Sequence, residues 1–152
     1  MATLEAAVVL DTNVVVKMFF QEDDSDRADF LLSRFERGAL KIFVPSFLPI
    51  EFVNVLWLRV REKLSTRSEC EAVLEDFLAI LKNMDAVAPT PLLDAVLAMS
   101  IELDHAAYDA AFMALANDIG VQFVTADAKL YRKLSSRSPS AVLLRNLEIA
   151  EG

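Results

Sequence analysis

Asp11, Glu51, Asp109 and Asp127 each stand beside an apolar segment, in Val8-Val9-Leu10-Asp11-Thr12-Asn13, Pro49-Ile50-Glu51, Tyr108-Asp109-Ala110-Ala111 and Val124-Thr125-Ala126-Asp127. A carboxylate that ends a buried strand or projects from an apolar helix is costly to ionise unless something pairs with it. Two carboxylates about 5 Å apart repel by roughly 3 kcal/mol at an effective dielectric of about 20. A converging set of four therefore demands protons or a divalent cation. Mg²⁺ or Mn²⁺ suits such all-oxygen surroundings and keeps waters of its own. The chemistry such an ion supplies is activation of a water and neutralisation of charge on a phosphoryl group. The four acids thus point to hydrolysis of a phosphodiester. Each has a plainer reading when taken singly. Asp11 and Asp127 suit turns or helix N-caps, Asp109 suits the first turn of a helix, and Glu51 suits an exposed helix position.

The rest of the composition narrows the chemistry. With one histidine, His105, no reaction that needs two imidazoles is open, and His105 itself reads as a helix-start residue. One cysteine, Cys70, excludes an internal disulfide and a multi-cysteine zinc site, and reads as a buried thiol. The three glycines, Gly38, Gly120 and Gly152, build neither a G-x-G-x-x-G loop nor a Walker A loop. A net charge of −8 argues against broad coating of nucleic acid, while local basic patches still hold phosphates. No apolar run approaches the roughly 18–20 residues that span a bilayer. The start Met1-Ala2-Thr3-Leu4-Glu5 lacks the basic residues of a secretory signal. A cytoplasmic protein with no membrane partner is expected.

The elements that must position the acids follow from periodicity. The chain has 152 residues, 55% of them apolar, which suits a single domain over 1–152. Continuous apolar runs predict strands over Ala6–Leu10, Ile42–Val44, Ala86–Ala88, Gln122–Thr125 and Ala141–Leu144. Helices are predicted over Ser25–Arg37, Phe47–Lys63, Thr66–Met84, Thr90–Leu103, Ala106–Ile119 and Ala126–Leu134. Gly38 and Gly120 stop two of them. Thr66 and Glu69 form a capping-box pattern, and Pro49 falls in a first helical turn. Alternating strands and helices argue for a parallel sheet covered on both faces. In such sheets the functional crevice lies at the carboxyl ends of the strands, where Asp11 and Asp127 fall. Glu51 and Asp109 sit near helix starts expected at the same edge.

Four blocks in this order and spacing resemble the PIN-domain ribonucleases, and within them the VapC-type toxins of prokaryotic toxin–antitoxin pairs. The blocks are Val9-Leu10-Asp11-Thr12-Asn13-Val14 with Lys17, Val44-Pro45-Ser46 with Glu51-Phe52-Val53-Asn54-Val55-Leu56, Tyr108-Asp109-Ala110-Ala111-Phe112 with Leu115-Ala116, and Val124-Thr125-Ala126-Asp127 with Leu130. The resemblance covers nearly the whole chain. It implies a three-layer α/β/α sandwich with a central parallel sheet, and an endoribonuclease that depends on Mg²⁺ or Mn²⁺. It implies that Asp11 and Asp109 are the main metal ligands, with Glu51 and Asp127 completing the site directly or through water. Thr12, Asn13 and Thr125 would be supporting polar groups. An RNA substrate, a VapB-like antitoxin whose tail covers the site, and a homodimer come with the same resemblance. One departure is Ala106, where the family often has Ser or Thr, which shifts the expected helix cap to Asp104.

Lys129, Arg132 and Lys133 share one helix face just after Asp127 and are the candidate phosphate contacts, with Arg137 beyond them. Arg59, Arg61, Lys63 and Arg67 form a second basic group, read as a solvated face. Trp57 falls at core or interface spacing. Two other functions compete. A phosphoaspartate-type phosphatase also places Asp after its first strand, but its general acid is a second Asp two residues on, where this chain has Asn13. A non-catalytic PIN-like binding module of nucleic acid or protein has no need of four mutually repelling acids.

Overall fold

All five apolar segments become strands of one parallel sheet. The computed structural model describes residues 1–149, so the last three positions of the expected domain lie outside the described residues. The strands are β1 (Ala7–Leu10), β2 (Lys41–Pro45), β3 (Asp85–Val87), β4 (Gln122–Thr125) and β5 (Ala141–Leu143), in the order β3-β2-β1-β4-β5. β1 takes the centre, pairing Val9 with Phe43 on one side and with Phe123 on the other. Such a strand has no solvent face, and Val8, Val9 and Leu10 are fully buried. Continuous apolar sequence is what a doubly covered strand requires.

The helices are α1 (Thr12–Val16), α2 (Ser25–Glu36), α3 (Leu48–Arg61), α4 (Arg67–Leu81), α5 (Leu93–Leu103), α6 (Ala107–Ile119) and α7 (Ala128–Leu134). They cover both faces of the sheet as an α/β/α sandwich. α6 is buried almost all round from Ala110 to Ala116. Its small residues let it approach β1, β2 and β4 closely. Gly120 ends it in the left-handed conformation, at φ 81°, where a Cβ is disfavoured. Thr66 caps α4 by accepting from Glu69 N at 3.1 Å. On the α3–α4 side Phe52 stacks on Phe77 at 3.9 Å, with the Phe19 ring edge-on to both. Cys70 is buried as a free thiol.

Four expectations need correction. α1 is absent from the periodicity reading, because five residues are too few to show a period. β3 begins at Asp85, one residue early, since its pairing with β2 sets Phe43 opposite Asp85. Asp104 does not cap α6; it ends α5 in the left-handed region at φ 50°, and Ala106 stands at the N-cap of α6 with no side-chain cap. Trp57 is not in the core: it is 54% exposed and carries the Arg61 guanidinium over its ring, which leaves the interface half of its reading open. Among the described residues no helix is long and apolar enough to cross a membrane.

Candidate active site

Strand order makes the crevice. The chain runs from β1 outward to β2 and β3, then returns to place β4 on the other side of β1. Connections leave β1 and β4 in opposite directions, so a cleft opens beyond their carboxyl ends. Hydrogen bonds knit the two ends together. Asp11 N donates to Val124 O at 2.9 Å. Thr125 Oγ1 donates to Asp11 Oδ2 at 2.8 Å, and Ala126 N donates to Asn13 Oδ1 at 3.0 Å. The Asn13 amide also reaches Asp11 Oδ2 at 3.3 Å. Asp11, Thr125 and Asn13 thus form one polar cluster at the floor of the cleft.

Asp11 is 5% exposed. It precedes α1 but makes no cap bond to that helix, so capping does not account for it. Its pKa is raised from 3.8 to about 7, first by burial and then by the charges of Asp109 and Glu51, against the hydrogen bond from Thr125. Glu51, in the first turn of α3, is half-buried and its pKa is likewise raised, first by burial and then by Asp109. Its Oε1 accepts from Thr12 Oγ1 at 2.7 Å, which opposes the rise. Asp109, in the first turn of α6, has Oδ2 at 2.8 Å from His105 Nε2. The three carboxylates line one pocket together with Thr12, Asn13 and Asn54, and no Lys or Arg lines it. Phe47 and Tyr108 form one wall, their rings edge-to-face at 5.3 Å. A larger recess lies at the opposite sheet edge, around Ala6, Gly38 and the weak Lys41–Asp85 pair, away from every acid of this cluster.

Asp127 does not join the pocket. Its Oδ1 accepts from Lys129 N at 2.9 Å and Leu130 N at 3.1 Å, capping α7. It touches the cluster indirectly, since its own N–H donates to Thr125 Oγ1 at 3.1 Å. Lys133 is likewise diverted from the basic face expected of it, reaching Asp104 O at 2.8 Å and His105 Nδ1 at 3.1 Å. Lys129 and Arg132 remain exposed on α7. In the second basic group Arg59 lies 3.8 Å over the Phe20 ring and Arg67 pairs with Glu71. Sequence reasoning missed Asn54, Phe47 and Tyr108 as lining residues, and the part played by His105. The i, i+4 spacing of His105 and Asp109 was the available signal for the last.

The fit to a divalent cation rests on the donor set. The pocket offers carboxylate, amide and hydroxyl oxygens, and the pKa of Asp11 is raised by burial and by two like charges, with no Lys or Arg among the lining residues. Among the described residues no three His, Cys, Asp or Glu side chains stand close enough together to form a ready-made cage. Mg²⁺ needs none, since it is commonly held by one or two carboxylates and several waters.

The PIN domain family model matches residues 8–134. The chain is 25% identical to Ribonuclease VapC3 of Pyrobaculum aerophilum over 126 residues, 83% of this chain and 93% of that protein. In fold it is similar to the crystal structure of PAE2754 from Pyrobaculum aerophilum, with a TM-score of 0.68 and 20% identity over 95% of this chain and 93% of the other. It is also similar to a chain of a toxin–antitoxin complex from Klebsiella pneumoniae, with a TM-score of 0.62 and 12% identity over 90% of this chain and 97% of the other.

Proposed function

Because the chain belongs to the PIN-domain family, we propose that it is a Mg²⁺- or Mn²⁺-dependent endoribonuclease and the toxin of a VapBC-like toxin–antitoxin pair. The observation that carries the reading is Asp11, a carboxylate 5% exposed at the end of the central strand, facing a pocket it shares with Glu51 and Asp109. Similarity to Ribonuclease VapC3 supports the ribonuclease reading. When bound, the cation supplies an activated water and charge neutralisation at the phosphoryl group.

The chain's own residues do the remaining work. Asp11 and Asp109 would hold the cation, and Glu51 would complete the site directly or through water. Thr125 and Asn13 fix the Asp11 carboxylate from β4 and α1. Thr12 fixes Glu51, so each acid is oriented before substrate arrives, which lowers the reorganisation that catalysis requires. Asp127 acts at one remove, by starting α7 and holding Thr125. Lys129 and Arg132 are the candidate phosphate contacts. A VapB-like antitoxin that covers the pocket, a homodimer and a cytoplasmic location complete the reading.

Two observations favour a second reading, a non-catalytic PIN-like module that binds nucleic acid or protein. Asp127 is occupied as a cap, and no three-acid cage exists among the described residues. Incubating the chain with a panel of RNAs in Mn²⁺, in Mg²⁺ and in chelator separates the two. Cleavage with either ion that stops in chelator and in Asp11→Asn supports the nuclease. RNA retention without cleavage under every condition supports the binding module.

A further inference from the structure

His105 is the one histidine of the chain, and it lies between two charged side chains from other turns. Its Nε2 is 2.8 Å from Asp109 Oδ2, and its side chain is 13% exposed. Its Nδ1 is 3.1 Å from Lys133 Nζ. A lysine ammonium donates hydrogen bonds and accepts none, so Nδ1 must be the accepting nitrogen. The ring proton then sits on Nε2 and is donated to Asp109. The same Nζ also donates to Asp104 O at 2.8 Å, which fastens α7 to the turn that carries His105. The turn is itself constrained, with Asp104 at φ 50° and His105 N donating to Ser100 O at 3.1 Å. Three groups from α7, the α5–α6 turn and α6 therefore form one directed chain, Lys133 to His105 to Asp109, ending at the pocket.

The chain of bonds matters because α6 begins without help from its cap. Ala106 has no side chain to bond the first turn, and the Asp109 side chain is 33% exposed. Left alone, a first-turn aspartate samples several rotamers. With Oδ2 held by His105, the carboxylate has one orientation. We propose that His105, locked as its Nε2–H tautomer by Lys133, is a positioning residue that aims the Asp109 carboxylate into the pocket for a divalent cation. This rests on the metal-dependent reading above.

Loss of a group that orients a metal-binding carboxylate weakens metal binding about 10–100-fold. Calorimetric titration of the full chain with Mn²⁺, in the absence of RNA, is expected to show that loss for His105→Ala. His105→Gln places an N–H donor the same number of bonds from Cα and is expected to keep most of the affinity. Melting temperatures of the metal-free proteins identify any variant that fails to fold. With a single histidine, a long-range ¹H–¹⁵N spectrum reports one imidazole. The parent is expected to show a protonated Nε2 and a bare Nδ1, as donation to Asp109 and acceptance from Lys133 together require. Equal Mn²⁺ affinity in the parent and a folded His105→Ala, or an Nδ1–H tautomer in the parent, would overturn the inference while leaving the metal reading intact. A parent chain that binds no Mn²⁺ would overturn the metal reading and the inference together.

Discussion

Replacing Asp11 with Asn removes a negative charge from the most buried acid of the molecule, and the sign of the consequence changes with pH. Burial and the charges of Asp109 and Glu51 raise its pKa from 3.8 to about 7. Between those values the folded protein binds more protons at this site than the unfolded chain does. The contribution to stability is therefore fully present below about pH 4 and is lost as pH rises towards 7. At about 1.4 kcal/mol per pH unit, the gap amounts to about 4 kcal/mol lost by pH 8. At pH 5 between about 1 and 2 kcal/mol of it has gone. Asn does not titrate and keeps an oxygen for the Thr125 hydroxyl, so the metal-free variant should gain on the parent by about 3 kcal/mol between pH 5 and pH 8. For a domain of this size that corresponds to roughly 6–12 °C in melting temperature. Thermal melts of both proteins in chelator at pH 5, 6, 7 and 8 read the difference. Mn²⁺ should then close most of that gap at pH 8, because an ion present at about 100 times its Kd stabilises the parent by about 2.7 kcal/mol and has lost its ligand in the variant. A stability difference that stays flat from pH 5 to pH 8 would refute the reasoning, because it would mean that Asp11 ionises in the folded protein as freely as in the unfolded chain.

Three further outcomes follow from the same geometry. Asp127→Ala should cost about 1 kcal/mol in urea melts through loss of the α7 cap, whereas Asp127→Asn should keep both the cap and most RNA cleavage; abolished cleavage in a stable Asn variant would return Asp127 to the metal site. The double variant Lys129→Ala, Arg132→Ala should bind single-stranded RNA with a shallower dependence on log salt, by up to about 1.4 for two lost phosphate contacts, and an unchanged slope in fluorescence titrations would move the RNA path elsewhere. Phe52→Ala removes a ring stacked at 3.9 Å on Phe77 and should destabilise by about 3–5 kcal/mol, measured by urea unfolding, with Mn²⁺ affinity unchanged below the transition because the ring does not line the pocket.

Strands β1, β4 and β5 were legible because they are almost wholly buried, and such strands announce themselves as short apolar runs between polar stops. β4 was read with its ends correct, over Gln122–Thr125. Helix stops were legible where a glycine carries them, at Gly38 and Gly120, both with positive φ. What local sequence lacks is register: β3 moved by one residue because hydrogen bonding to β2 decides its ends, and nothing within Asp85–Ala88 encodes its partner. α1 was hidden for another reason. Its five residues are held by tertiary contacts with α3 and β4, and a short apolar run beside a strand has no period to read.

The site shows the same division more sharply, in Asp11 and Asp127. Each follows a strand and stands before a helix, so capping was an equally good reading for both. Asp11 makes no cap bond and turns to Thr125 and Asn13 instead. Asp127 bonds two backbone N–H groups of α7. The difference lies in what surrounds each strand end. Asp11 leaves the central strand, between β2 and β4, where Glu51 and Asp109 are brought in from α3 and α6. Asp127 leaves β4 two residues later, with Thr125 in the position that faces the cluster. Strand order therefore chose the acid that lost its cap, and strand order is a property of the whole chain. Lys133 and His105 repeat the point. As sequence they were a phosphate contact and a helix-start residue; once α7 packs against the α5–α6 turn they become hydrogen-bond partners, and the basic surface left for a polyanion shrinks to Lys129 and Arg132.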